Sequence, residues 1–234
     1  MEKNLEETNF KYSFLKKELA QDVHKFIKSN YQDLQYPESL TYNPDKQIIE
    51  GSNVFYLVAV NHYFRNNKSD LRTASPYELE QILITNSRML NSHYEISALV
   101  LRDTKGPNKY LAQGLVNQVK SKNFDIKFPL MIPLKGLALR KDYNSPYNYS
   151  FLLTNESEII YSDKLKHEND EKKFDETDKN GLPFFNNKGK RIFWTANSDL
   201  TVFSLGLDLN LASFEDRFDG SGPHGRIVLV EPKL

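Results

Sequence analysis

Hydrophobic positions divide the chain into a first part with a helical period and a second part with an alternating one. Apolar residues recur at steps of three and four over residues 10–29, which predicts an amphipathic helix. Ser75, Pro76 and Glu78 match a capping box and predict the start of another helix. The apolar run Val54–Phe64 fits a buried helix or a buried strand, and we favour the helix.

Strand patterns dominate after residue 93. A strand is expected at residues 94–102, a hairpin at 149–162, and a strand at 203–211 whose odd positions are all apolar. Pro129 and Pro133 interrupt another alternating segment, which indicates an edge strand or a bulged one. A weak helix is expected over residues 108–122.

These patterns predict an α+β fold with a largely helical N-terminal part and a mainly antiparallel β C-terminal part, sandwich-like or barrel-like. The predicted division is residues 1–92 for the helical region and 93–234 for the mainly β region, and the two are compatible with one domain. Residues 163–181 are dense in charge and poor in apolar side chains, so we predict an exposed loop there.

Composition excludes some chemistry. The chain has 234 residues, 31 Lys plus Arg, 31 Asp plus Glu and no Cys. The absence of Cys excludes disulfides, cysteine zinc sites, iron–sulfur clusters and thiol nucleophiles. Residues 1–10 lack the pattern of a signal peptide, and no apolar run is long enough to span a membrane. We therefore expect a soluble protein that is cytoplasmic or part of a particle.

One group of residues could bind a divalent metal. The group follows a predicted strand, in a glycine-rich loop, and consists of Glu215, Asp216, Asp219 and His224. The alternative is that these side chains are simply solvated. Residues 176–181 resemble the first half of a calcium loop, but Asn187 stands where that loop requires a bidentate Glu. P-loop, G-x-G-x-x-G and H-E-x-x-H motifs are absent.

A basic stretch is the candidate for contact with nucleic acid or with a protein partner. Residues 109–141 contain seven basic side chains and one acidic one, whereas residues 192–234 contain six acidic and three basic ones. The basic residues are Lys109, Lys120, Lys122, Lys127, Lys135, Arg140 and Lys141. They could face phosphates, or they could form an ordinary charged outer surface.

The favoured hypothesis is a non-enzymatic structural or interaction protein that acts within a larger assembly, such as a bacterial or phage-type complex. It would act by protein–protein contacts, including self-association in a homo-oligomer, because a basic face on one copy can meet an acidic face on another. No cofactor and no membrane contact are expected. The alternatives are a metal-dependent hydrolase or nuclease near residues 215–224, and a nucleic-acid-binding module that uses residues 109–141.

Overall fold

The computed structural model describes residues 10–34, 41–43, 45, 48–85, 95–122, 126–167, 172–206, 208–214, 216–220 and 222–233. The helices in this part are α1 Lys17–Asn30, α2 Val54–Asn66, α3 Pro76–Thr85 and α4 Lys109–Ser121. The strands of its N-terminal half are β1 Phe10–Phe14, β2 Thr41–Asn43, β3 Ile48–Ser52, β4 Arg72–Thr73 and β5 Glu95–Leu101.

The remaining strands follow α4. They are β6 Leu130–Pro133, β7 Leu137–Lys141, β8 Tyr149–Leu153, β9 Ile160–Tyr161, β10 Lys172–Thr177, β11 Pro183–Phe185, β12 Arg191–Thr195, β13 Leu200–Leu205, β14 Leu211–Ser213, β15 Gly222–Arg226 and β16 Val228–Pro232. Across the described ranges, no helix combines the length and the apolar character that a membrane crossing requires.

Helix α2 forms the centre of the larger core. Its apolar residues lie on every side, which is typical of a helix surrounded by other elements. Asn53 caps it: the side-chain Oδ1 accepts hydrogen bonds from the backbone N–H groups of Phe55 and Tyr56, at 3.0 and 3.2 Å. The helix favoured for Val54–Phe64 is thereby confirmed.

The capping box before α3 is also confirmed. Glu78 Oε2 accepts hydrogen bonds from the backbone N–H and the hydroxyl of Ser75, both at 2.8 Å. Arg72 donates to both oxygens of the same carboxylate, at 2.6 and 2.7 Å. The helix start is therefore tied to strand β4, which carries Arg72.

An eight-stranded mixed sheet occupies the middle of the fold, in the order β11-β10-β12-β14-β13-β5-β6-β9. Both faces are covered near β5: Leu99 and Leu101 belong to the core that contains α2 and α4, whereas Ala98 and Val100 belong to the core that contains α3. Strands buried on both faces carry near-continuous apolar runs, as β5 does.

Smaller sheets join the two halves of the chain. Strand β16 lies between β1 and β4, β3 lies between β15 and β2, and β7 pairs with β8. The protein is therefore α+β with a β-rich part built of curved mixed sheets. The predicted order of a helical part followed by a β part is not confirmed, because strands β1 and β4 from the first 92 residues pair with strand β16 near residue 230.

Several predicted elements need correction. The segment 10–29 begins as strand β1 and becomes helix α1 only at Lys17. Strand β6, which follows Pro129, is an interior strand between β5 and β9, not an edge strand. The predicted hairpin at 149–162 is wrong, because β8 pairs with β7 while β9 pairs with β6.

The exposed loop predicted at 163–181 is wrong over residues 172–177, which form strand β10 between β11 and β12. Lys172 and Phe174 are buried on one side of this strand, and Phe174 has no exposed surface. The aliphatic stem of Lys172 and the ring of Phe174 lie at the strand period, and they are sufficient when both neighbouring strands supply the rest of the core.

The long strand predicted at 203–211 is also wrong. Strand β13 ends at Leu205, and the chain turns back into β14, with the backbone N–H of Gly206 donating to the carbonyl of Asn210 at 2.8 Å. Leu209 adopts a positive φ of 59° in this turn. Leu207 lies outside the described residues.

Candidate functional site

A cleft lies where several strand ends meet at one edge of the large sheet. Strands β12 and β14 are parallel, and β13 runs antiparallel to both β14 and β5. The carboxyl ends of β5, β12 and β14 therefore share this edge. The cleft has a volume of about 410 Å³ and is lined by Arg102, Phe128, Pro129, Lys166, His167 and Asn197.

Arg102 forms the buried part of the cleft. It follows the last residue of β5 directly, and only 7% of its surface is exposed. Its Nε donates to the carbonyl of Leu165 at 3.2 Å, Nη1 donates to Thr201 Oγ1 at 2.8 Å, and Nη2 donates to Ser213 Oγ at 3.0 Å. All three acceptors are neutral oxygens.

The charge of Arg102 has no carboxylate partner within the described part of the chain. Burial lowers the pKa of Arg102 to about 10, and the nearby carboxylate of Asp103 opposes that shift. The guanidinium is therefore still cationic at neutral pH. Burying an unpaired charge is costly, and the cost falls when an anion approaches.

Two N–H donors of Arg102 remain for a ligand. A guanidinium has five N–H groups, and three make the hydrogen bonds described above. The hydroxyl oxygens of Thr201 and Ser213 lie 3.1 Å apart, so they accept from the two N–H groups that Nη1 and Nη2 direct side by side. The two that remain, one on Nη1 and one on Nη2, point to opposite sides of the guanidinium, and an oxygen of an anion can accept from either of them.

The rim of the cleft adds basic and polar groups. Lys166 is exposed and forms an ion pair with Asp163, and its ammonium holds the pKa of Asp163 below the usual range. Lys127 adds to that effect on Asp163, and it directly precedes Phe128 of the cleft lining in the chain. His167 Nδ1 donates to the carbonyl of Thr195 at 2.9 Å, since a carbonyl can only accept, and Nε2 is left as the other polar atom of the ring.

The residues predicted to bind a metal are placed only in part. Asp216 is half-buried, and its backbone carbonyl accepts a hydrogen bond from Asn108 Nδ2 at 2.6 Å. Asp219 is exposed, 4.0 Å from Arg217 Nε. Glu215 lies outside the described residues, as does the side chain of His224, whose backbone is in β15. The residues that are described contain no group of three or more ligands able to hold a metal ion, and the site stays a prediction.

The basic stretch is spread over several elements. Three of its side chains have partners: Lys122 Nζ donates to the carbonyl of Thr154 at 2.6 Å, Lys135 pairs with Glu158 at 2.8 Å, and Lys141 pairs with Asp33 at 2.5 Å. The others are exposed, namely Lys109 and Lys120 on α4, Lys127 before β6, and Arg140 on β7. Contact with nucleic acid or a partner through these residues stays a prediction.

Sequence reasoning missed the Arg102 cleft. The available signal was a charged residue at the end of the apolar run from Ile96 to Leu101, together with isolated hydroxyl residues in two other buried strands. Those signals do not reveal that Arg102, Thr201 and Ser213 meet, because up to 111 positions separate them along the chain.

Comparison with protein-family models, curated proteins and solved structures gives no match for this chain. Its site is therefore interpreted from its own geometry.

Proposed function

We propose that this chain is a binding protein that holds an anionic group of its ligand against Arg102. The observation that carries the proposal is a buried, cationic guanidinium whose hydrogen-bond partners among the described residues are all neutral, which lines an open cleft and has two N–H donors left. Hydrogen bonds to charged groups contribute about 1.5–3 kcal/mol each. An anion would accept such a bond from Arg102 and also compensate the buried charge.

The position of the cleft adds support. In open sheets with parallel strands, ligands usually bind outside the carboxyl ends of the strands. Arg102 and Asn197 follow the carboxyl ends of β5 and β12, and Ser213 ends β14. The proposal keeps the non-enzymatic class that the sequence favours, and it moves the expected contact from the charged outer surface to this cleft.

Titration calorimetry with phosphate, sulfate and acetate at low ionic strength tests the proposal. We expect at least one of these anions to bind, and we expect Arg102→Met to weaken that binding by tenfold or more. Arg102→Lys keeps the charge but loses the planar guanidinium and its fixed N–H directions, so an intermediate affinity is expected. The absence of binding by all three anions would exclude the proposal.

A rim substitution keeps the test independent of the buried arginine. Asn197→Asp places a negative charge on an exposed residue of the cleft, and we expect it to weaken anion binding severalfold. Asn187→Asp makes the same change in the exposed turn before β12, at the opposite end of that strand, and should leave binding unchanged. Equal affinities in the two variants would contradict the proposal.

The assembly hypothesis stays a separate proposal. Self-association or binding to other proteins would rest on the exposed part of the basic stretch, and light scattering at low and high salt measures it. Asp199, one of the six acidic residues at 192–234, is buried with 3% exposure and cannot take part in such a contact.

A further inference from the structure

The cleft is larger than an inorganic anion needs. Its volume is about 410 Å³, whereas a water molecule occupies about 30 Å³ of liquid and a phosphate ion only a few times that. Pockets for small organic ligands begin at about 300 Å³. The cleft therefore has room for a molecule that carries the anionic group as one of its parts.

The lining of the cleft is divided by chemistry. Arg102, Lys166, His167 and Asn197 supply its charged and polar groups, and Phe128 and Pro129 supply its apolar ones. The apolar pair is contiguous in sequence and immediately precedes β6. Because Leu130 of β6 pairs with Leu101 of β5, this apolar wall lies next to Arg102 in the sheet.

Phe128 is held so that part of its ring is open to the cleft. The residue is half-buried and packs against the core that contains α2 and α4, while it also lines the cleft. A ring that is fixed on one side and accessible on the other offers a surface on which another flat ring can stack. Aliphatic ligands would gain less from this surface.

We infer that the ligand is a flat aromatic or heteroaromatic molecule with an anionic substituent, whose ring stacks on Phe128 while the anion meets Arg102. The inference rests on the proposed anion site and adds the ligand class. Lys166, His167 and Asn197 then face the part of the ligand that joins the ring to the anion.

The test compares pairs of compounds that share the anion and differ in the ring. The phosphate pair is adenosine 5′-monophosphate and ribose 5-phosphate, and the carboxylate pair is benzoate and acetate. We expect the ring-bearing member of at least one pair to bind about fivefold or more tightly than its partner, as base–aromatic stacking supplies in other proteins. The pair that shows this preference identifies the anion as phosphate or carboxylate.

Phe128→Leu is expected to abolish the preference and to leave the affinity of the ringless compounds unchanged. Phe185→Leu makes the same substitution on β11 and should preserve the preference. If Phe128→Leu unfolds below the temperature of the binding titration, nuclear Overhauser contacts between the ligand ring and Phe128 in the natural chain test the stacking instead.

The outcomes separate the two proposals. Ring-bearing and ringless compounds that bind equally, with sensitivity to Asn197→Asp, would overturn the stacking inference and leave the anion site standing. If both pairs fail to bind while phosphate or sulfate binds, the stacking inference is overturned and the anion site stands, and failure of the inorganic anions as well would overturn the anion site itself. A ring preference that Phe128→Leu does not change would also overturn the inference, because the ring would then lie elsewhere.

Discussion

Glu80 and Arg191 form an ion pair that is closed off from solvent between α3 and β12. The Glu80 side chain has no exposed surface, and the Arg191 side chain is 9% exposed. Arg191 donates to both carboxylate oxygens and, through Nε, to the carbonyl of Leu209 at 2.6 Å. Its guanidinium also lies 4.3 Å from the ring centre of Phe174. One arginine therefore links α3, β10 and the turn between β13 and β14.

Glu80→Gln should destabilise the protein strongly. The substitution keeps the size of the side chain but leaves the Arg191 cation buried without its partner, which costs about 3–5 kcal/mol in comparable sites. Urea unfolding measures the loss. Glu158→Gln, which breaks the exposed pair with Lys135, should cost no more than about 1 kcal/mol. Equally small losses in both variants would show that the Glu80 pair contributes little.

Glu95→Gln should flatten the pH dependence of stability. Burial raises the pKa of Glu95 to about 8, although the backbone N–H of Arg226 donates to Oε1 at 2.8 Å. The folded state thus holds this proton more tightly than the unfolded chain, whose Glu pKa is about 4.3. The contribution of this proton to the free energy of unfolding is complete below about pH 4, and it is lost progressively as the pH rises to about 8.

Melting temperatures between pH 5 and pH 9 check this expectation. The natural chain should lose stability relative to Glu95→Gln as the pH rises, and Glu95→Gln should be the more stable protein above pH 8. Glu156→Gln changes an exposed residue and should follow the natural chain at every pH. Parallel curves for the natural chain and Glu95→Gln would contradict the assignment.

Asp199→Asn should stabilise the protein. Asp199 Oδ2 accepts a hydrogen bond from the backbone N–H of Asn108 at 3.0 Å, whereas the buried Oδ1 has no hydrogen-bond partner of ordinary geometry among the described residues. Burial raises the pKa of Asp199, the backbone N–H groups of Asn108 and Leu200 oppose that rise, and the charges of Asp216 and Asp103 add to it. An amide keeps the acceptor for Asn108, removes the buried charge that Asp216 and Asp103 repel, and suits the positive φ of 74°.

The expected gain for Asp199→Asn is about 1 kcal/mol, or a few degrees in melting temperature at neutral pH. Asp199→Ala serves as the control, because it removes the acceptor as well and should lower the melting temperature. A decrease in both variants would mean that the carboxylate charge itself is needed.

Replacement of residues 163–181 by a short flexible linker should unfold the large sheet, because it removes β10 from between β11 and β12. Phe174→Ala is the milder form of the same test and should cost about 3–5 kcal/mol. Phe184→Ala, on a residue that is 53% exposed, should cost far less. Calorimetric melting of the three variants measures how much stability each one loses. A linker variant that melts at the same temperature as the natural chain would contradict the position of β10.

The parts of the fold that sequence predicts are those with local causes. The capping box at Ser75 and Glu78 needs only residues within one turn of helix, and the structure contains it. The apolar runs that become α2 and β5 are also predicted, since length and flanking residues restrict what such runs can form.

The parts that sequence misses depend on partners far along the chain. Strand β10 looks like a charged loop until β11 and β12 are placed on either side of it. The turn at 206–210 interrupts a pattern that is otherwise typical of one long strand. The cleft is hidden for the same reason: Arg102 receives its partners from β13, from β14 and from Leu165, and no local pattern joins them.

The position of β16 has a consequence for the order of folding. This strand lies between β1 and β4, so two segments near the start of the chain share one partner from residues 228–232. Synthesis proceeds from the amino end at about 5–20 residues per second. Neither β1 nor β4 can form its ladder with β16 on the growing chain until residues 228–232 have been synthesised. Both strands therefore keep an unpaired edge while the intervening segments are made, and this sheet closes only when its central strand arrives.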